Sequence, residues 1–139
     1  MRFGLFGGAR TVADGTASDS QMYTDYIDYV LEAERLGFES LFLVEHHFTG
    51  MGQLSASLNF LCYLAARTSR MRLGTAVTVL PWHNPVLLVE QAATLDLLSN
   101  GRFDFGIGRG YRHVEFNGFQ IAIEEAEERY QEALAFIRR

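Results

Sequence analysis

Apolar residues in this chain fall into short blocks whose spacing alternates between strand-like and helix-like. Arg2 to Phe6 is a brief apolar stretch ended by Gly7-Gly8 and reads as a first buried strand. After a polar loop, Arg10 to Asp19, Ser18-x-x-Gln21 has the form of a capping box, in which two side chains satisfy free amides at a helix start. Tyr23, Ile27, Val30 and Leu31 follow at helical spacing, and Gly37 is a natural stop. Ser40 to Val44 is a second strand, apolar on both faces. Leu54 to Thr68, rich in Leu and Ala, is a second helix. Met71 to Leu80 is dense in β-branched residues and predicts a third strand. Asn84-Pro85 opens a third helix, with Asn as the cap and Pro in the first turn, and it ends at Leu98 before Ser99-Asn100-Gly101. Arg102 to Ile107 is a fourth strand, and Ile121 to Arg139 a last, charged helix.

Strands therefore begin near positions 2, 40, 71 and 102, roughly one strand-helix unit apart. Strands buried on both faces and alternating with helices require a parallel sheet. The architecture is then a doubly wound open sheet or part of a (β/α)8 barrel. Gly106-Ile107-Gly108-Arg109-Gly110 lacks the G-x-G-x-x-G spacing of a dinucleotide-binding turn, with Tyr111 where the third glycine would stand. That disfavours the open sheet.

Composition narrows the partners. The 139 residues are 48% apolar and 21% charged with a net charge of −5, a globular profile that leaves room for one core. Lys and Arg form no cluster, so nucleic acid and anionic membranes are not expected partners. The single cysteine, Cys62, lies in an apolar run, excludes an internal disulfide and reads as a buried core thiol. Met1-Arg2-Phe3-Gly4 enters a strand without a signal peptide, and no apolar stretch spans a bilayer. A cytoplasmic protein is the expectation.

Three segments carry candidate chemistry. Val44-Glu45-His46-His47-Phe48-Thr49 follows the second strand, at the sheet edge where parallel barrels collect catalytic groups. Neighbours on a strand point to opposite faces, so His46 and His47 should play different roles, one in the barrel mouth and one turned outward. The same divergence disfavours a metal site built on Glu45 and the two histidines. A structural role, with each ring satisfied by backbone, is the bland alternative. In Leu73-Gly74-Thr75-Ala76-Val77-Thr78, small residues interrupt a strand that otherwise favours bulk. This admits either a flat ligand close to the backbone or a bulge that relieves packing. Arg109 stands among glycines at the end of the fourth strand, suited to bidentate phosphate capture or, failing that, to a surface ion pair. Arg102, at the other edge, reads as structural.

Leu-Val-Glu-His-His-Phe-Thr, Leu-Gly-Thr-Ala-Val-x-Val-Leu-Pro and Ser-Asn-Gly-Arg-Phe-x-Phe-Gly-Ile-Gly-Arg-Gly occur here in one order. In that order they resemble the bacterial luciferase-like flavin monooxygenases, across nearly the whole chain. The resemblance implies a TIM barrel that binds reduced FMN, takes O2 and a small organic substrate, and draws electrons from a flavin reductase. His46 matches the family's acid-base histidine near the flavin. Ala76-Val77 matches a non-prolyl cis peptide against the isoalloxazine ring. Arg109 matches a contact to the flavin phosphate, and Glu45 is expected among the cofactor-binding residues. The family's homodimer implies an interface through helices 54–68 and 84–98, with His47 and Glu90 paired across it. Gly108 stands where the luciferase catalytic subunit has a reactive cysteine, so light emission is not implied. His83 sits one place earlier than the histidine of luciferases, and Trp82 changes the bulk of that loop. A relative using the deazaflavin F420 for hydride transfer is an alternative, which Glu-His-His mildly disfavours.

A full barrel needs eight strands and about 250 residues. The expectation for residues 1–139 is therefore one domain, the N-terminal half of a barrel, present as a fragment or truncated chain. A self-associating remnant without catalysis is the other alternative, because its strand edges would lie open.

Overall fold

The structure is a computed structural model that describes residues 1–9, 18–49 and 54–138, so most of the expected loop Arg10–Asp19 lies outside it. Four strands, β1 (Gly4–Gly7), β2 (Ser40–Leu43), β3 (Arg72–Thr75) and β5 (Phe103–Asp104), form one parallel sheet in the order β1-β2-β3-β5. Each new strand joins the same side of the sheet. A doubly wound sheet reverses direction after its first strands, whereas a barrel never does. The unreversed order is that of a partial barrel.

Both later strands are interrupted: in the third the break falls where small residues left a bulge as one of two readings, whereas the break in the fourth was not anticipated. The expected strand Met71–Leu80 is split into β3 and β4 (Thr78–Val79), and Arg102–Ile107 into β5 and β6 (Ile107–Gly108), with β4 and β6 paired in a second small sheet. Gly74 pairs with Asp104 and Thr78 with Ile107, so the stretch holding Ala76 and Val77 carries one residue more than its partner. That surplus is a bulge, a device that re-aims side chains and is common beside active sites.

The helices follow from their ends. In α1 (Asp19–Arg35) the Ser18 side chain accepts from the Gln21 amide, but Gln21 turns its own side chain to Asp25, so half of the expected capping box forms. Gly37 has φ +94° and closes the helix, with the Phe38 amide donating to Ala33 and the Gly37 amide to Glu34. Glu34 accepts from the amides of Ser69, Arg70 and Met71, which ties this helix end to the start of β3. α2 runs Ser57–Arg67, a turn shorter than expected and with no side-chain cap. α3 (Pro85–Leu98) starts as the sequence predicts, the Asn84 carboxamide oxygen accepting from Val86 and Leu87. The last helix begins later than Ile121. A 3₁₀ turn at Ile123–Glu125 precedes α5 (Ala126–Ile137), and an unexpected short helix, α4 (His113–Gly118), comes before both.

Leu41, Leu43 and Leu73 point from the sheet into a core with Leu58, Leu61 and Leu64 of α2 and with Leu88 and Leu95 of α3. The opposite sheet face, expected to be buried too, is open. Phe6 is 73% exposed, and Arg72 and Asp104 form a half-exposed bidentate ion pair there. Arg102 is structural, as expected: its guanidinium donates to the carbonyls of Ala65, Thr68, Met71 and Ser99 and to the Thr68 hydroxyl. Cys62 is not a core thiol. It is only partly buried, in a groove beside Leu87, Glu90 and Thr94. No helix of the described residues is long and apolar enough to cross a membrane.

Candidate functional site

Past the ends of β2, β4 and β6 the backbone opens into a cleft of about 470 Å³, lined by His46, Ala76, Val77, Gly108, Arg109 and Tyr111 among others. Its size lies within the range of small-molecule sites, and it sits at the strand ends where barrels place their chemistry. The segments that the sequence singled out separately thus share one cavity.

His46 follows β2, and its backbone amide donates to the Leu54 carbonyl at 3.0 Å. Its Nδ1 lies 3.1 Å from Glu115 Oε1 and 3.3 Å from an Arg112 guanidinium nitrogen. Nδ1 cannot donate to one and accept from the other at once. Glu115 is 2% exposed, also accepts from the His47 amide at 2.9 Å, and has Arg112 at 3.7 Å. The carboxylate can only accept and the guanidinium only donate; the Glu115 contact is the shorter, and Arg112 also faces that same carboxylate oxygen, so the geometry favours Nδ1–H donating to Glu115. Among the described residues Nε2 then has no protein partner and is the nitrogen free for proton exchange.

His47 has different surroundings from His46, as expected, and its ring is only partly exposed. Its ring is boxed edge-on by Trp82 and Phe119, and its Nε2 lies 3.0 Å from Glu45 Oε1. Of the pair expected across an interface, His47 thus has one ring nitrogen held within the chain, and Glu90 is exposed on α3. His83 Nε2 reaches the same Glu45 oxygen at 2.8 Å, and the Val79 amide donates to Glu45 Oε2 at 3.0 Å. Burial alone would raise the Glu45 pKa. The hydrogen bonds from His47 and His83, the charge of His83 and the Val79 amide outweigh it and hold the carboxyl below the usual range. Glu45, expected among the cofactor-binding residues, lines the cleft, has both oxygens engaged by the protein and fastens β4 to the end of β2.

The Ala76–Val77 peptide is cis, and both residues face the cleft. Arg109 is half exposed, and its nearest carboxylate, Glu127, is itself exposed at 3.7 Å. So loose a surface pair contributes little and leaves the guanidinium free for a ligand. The groups missed by sequence reasoning are Glu115 and Arg112, which lie between the fourth strand and the last helix, where no element was expected. Their i, i+3 spacing was the available signal, but with only six residues α4 gives almost no periodicity.

A family model described as luciferase-like monooxygenase matches residues 1–139. The oxygenase component of flavin-dependent trigonelline monooxygenase from Acinetobacter baylyi is 34% identical over 84% of this chain and 32% of its own length. The monooxygenase RslO1 from Streptomyces bottropensis superposes with a TM-score of 0.91 at 34% identity, over all of this chain and 42% of that one. The oxygenating constituent of a Pseudomonas putida diketocamphane monooxygenase, solved with FMN, superposes at 0.88 with 21% identity, over 99% of this chain and 38% of that one. This chain spans about a third of the length of the curated relatives it matches.

Proposed function

Because this chain belongs to the luciferase-like monooxygenase family, we propose that its cleft forms the flavin-facing part of an FMN-dependent monooxygenase. In this reading the enzyme oxidises a small organic substrate with O2. The His46–Glu115 pair carries the proposal. A buried carboxylate fixes one imidazole nitrogen and leaves the other free at a cavity wall, the arrangement that general acid-base catalysis requires.

The residues suit the cofactor. Ala76, Val77 and Val79 give an apolar wall for a flat ring, and Arg109 supplies an available guanidinium for a phosphate. When bound, reduced FMN supplies the electrons that activate O2. His46 gives or takes a proton through Nε2, while Glu115 keeps the ring in one orientation and tautomer. Glu45 holds the cleft wall in place through the Val79 amide. A reductase partner follows from the relative whose name marks it as an oxygenase component. A homodimer through α2 and α3 accords with exposed Val86 and Leu87 on α3.

Titration with FMN, followed by flavin fluorescence and visible absorption, tests the reading. Saturable binding that Arg109→Ala weakens is expected, and F420 in place of FMN separates the deazaflavin alternative. The rival reading, a barrel portion that only self-associates, draws on the exposed face around Phe6. It fails if FMN binds stoichiometrically and tightly. Binding of neither flavin would refute the cofactor assignment.

A further inference from the structure

On the premise that the cleft takes a flavin ring, we propose that Val77 and Gly108 act as one unit that sets its width and thereby the ring breadth it admits. Both residues line the cleft, one on each of two adjacent segments. A methyl built on Gly108 would stand 2.5 Å from Val77 Cγ2, 3.3 Å from its Cβ and 3.5 Å from its Cγ1. Three carbons of one side chain therefore surround the place that a residue-108 side chain would take. The Val77 isopropyl group fills that space from across the pair. Val is stiff at χ1, so it cannot yield the space by a small rotation. Segment 106–108 repeats the relation at Gly106, whose added methyl would meet the Thr75 carbonyl oxygen, so this segment gives way to residues 75–77 along its length.

The consequence is a rule of exchange. A side chain at 108, including the cysteine that the luciferase resemblance associates with this position, fits only if residue 77 is smaller than valine. Conversely, shortening Val77 while keeping Gly108 leaves a gap in the wall and widens the cleft. Val77 and Gly108 carry no group that exchanges a proton, so the pair governs which ligand fits and not the proton transfer.

Val77→Ala, Gly108→Ala and the double variant test this in two ways. The first is thermal unfolding without ligand. Gly108→Ala should lower the midpoint by roughly 5 °C or more, the size expected of overpacking. The double variant should lie closer to the wild type than the two single shifts combined. If Gly108→Ala does not fold, a folded double variant supports the pairing and an unfolded one overturns it. The second is binding of FMN and of an FMN analogue with a bulkier ring substituent, by fluorescence quenching. Val77→Ala removes two methyl groups and should shift the preference toward the analogue by roughly tenfold or more, and the double variant should return it toward wild type. Additive thermal shifts, or an unchanged preference in Val77→Ala, would overturn the proposal. If the wild type binds neither flavin, the flavin reading fails, and the thermal cycle alone decides whether the two residues act together.

Discussion

A carboxylate sealed from water persists as an anion only where donors surround it, and Glu45 has three: two imidazoles and one backbone amide. In Glu45→Gln one oxygen becomes an NH2 group that faces a donor. The expected loss is about 1–3 kcal/mol, read from urea unfolding near neutral pH. The pH dependence has a definite sign. A carboxyl whose folded pKa lies below its unfolded value of 4.5 stabilises the fold above that value and loses the effect as the pH falls through the folded pKa. The urea midpoint should therefore drop as the pH is lowered from about 5, and the part due to Glu45 should vanish in the Gln variant. If both proteins show the same acid slope, Glu45 is not the group responsible. Glu115 makes the companion case. In the active enzyme His46→Ala should lower turnover by about 10²–10⁴-fold. Glu115→Gln, which keeps an acceptor for Nδ1 but not the charge, should lower it less and displace the pH–rate profile. A profile identical to wild type would show that Glu115 does no more than pack.

Elements in this chain were legible where a short-range signal specifies them. Asn84-Pro85 places the start of α3 correctly because cap and first turn are both written in adjacent residues. Asn84→Ala should cost about 1 kcal/mol, measurable as a shift in the chemical unfolding midpoint, and no shift would mean that packing alone sets this end. Gly37 marks the end of α1 for the same reason. The small residues Gly74 to Ala76 hinted at a break in the third strand but left bulge and ligand approach undecided, and the break in the fourth was not legible, because pairing register is a property of two segments. The site divides along the same line. His46, Ala76, Val77 and Arg109 fall at strand ends, and the sequence assigns all four to the region that the structure gathers into one cleft. Glu115 joins His46 from 69 positions away, on a helix too short to betray its face. Glu45 was noticed as chemistry, but its engagement with Val79 and His83 is a tertiary fact that nothing near residue 45 encodes.

At the scale of the whole molecule the sheet is finished on one side only. Its helix side holds the leucine core, while its other face exposes Phe6, and β1 and β5 are edge strands. A chain with this surface should associate, giving a sedimentation mass that rises with concentration, and Phe6→Glu should reduce the effect. A concentration-independent monomer would contradict that. The one-residue surplus at Ala76–Val77 has a larger reach than its size implies. Before it, Leu73 points to the helices and Gly74 toward Phe42 on the open face. After it the parity is inverted: Val79 lines the cleft, and Thr78 borders the polar pocket with Ser57 and Gln91 of α2 and α3. The surplus works as a frame shift in side-chain direction. Deleting a single residue there would turn Val79 outward, carry its amide away from Glu45 and present threonine to the cleft, although every side chain but one would still be in the chain. Substitutions in this wall change its shape, whereas a change in its length exchanges its inside for its outside.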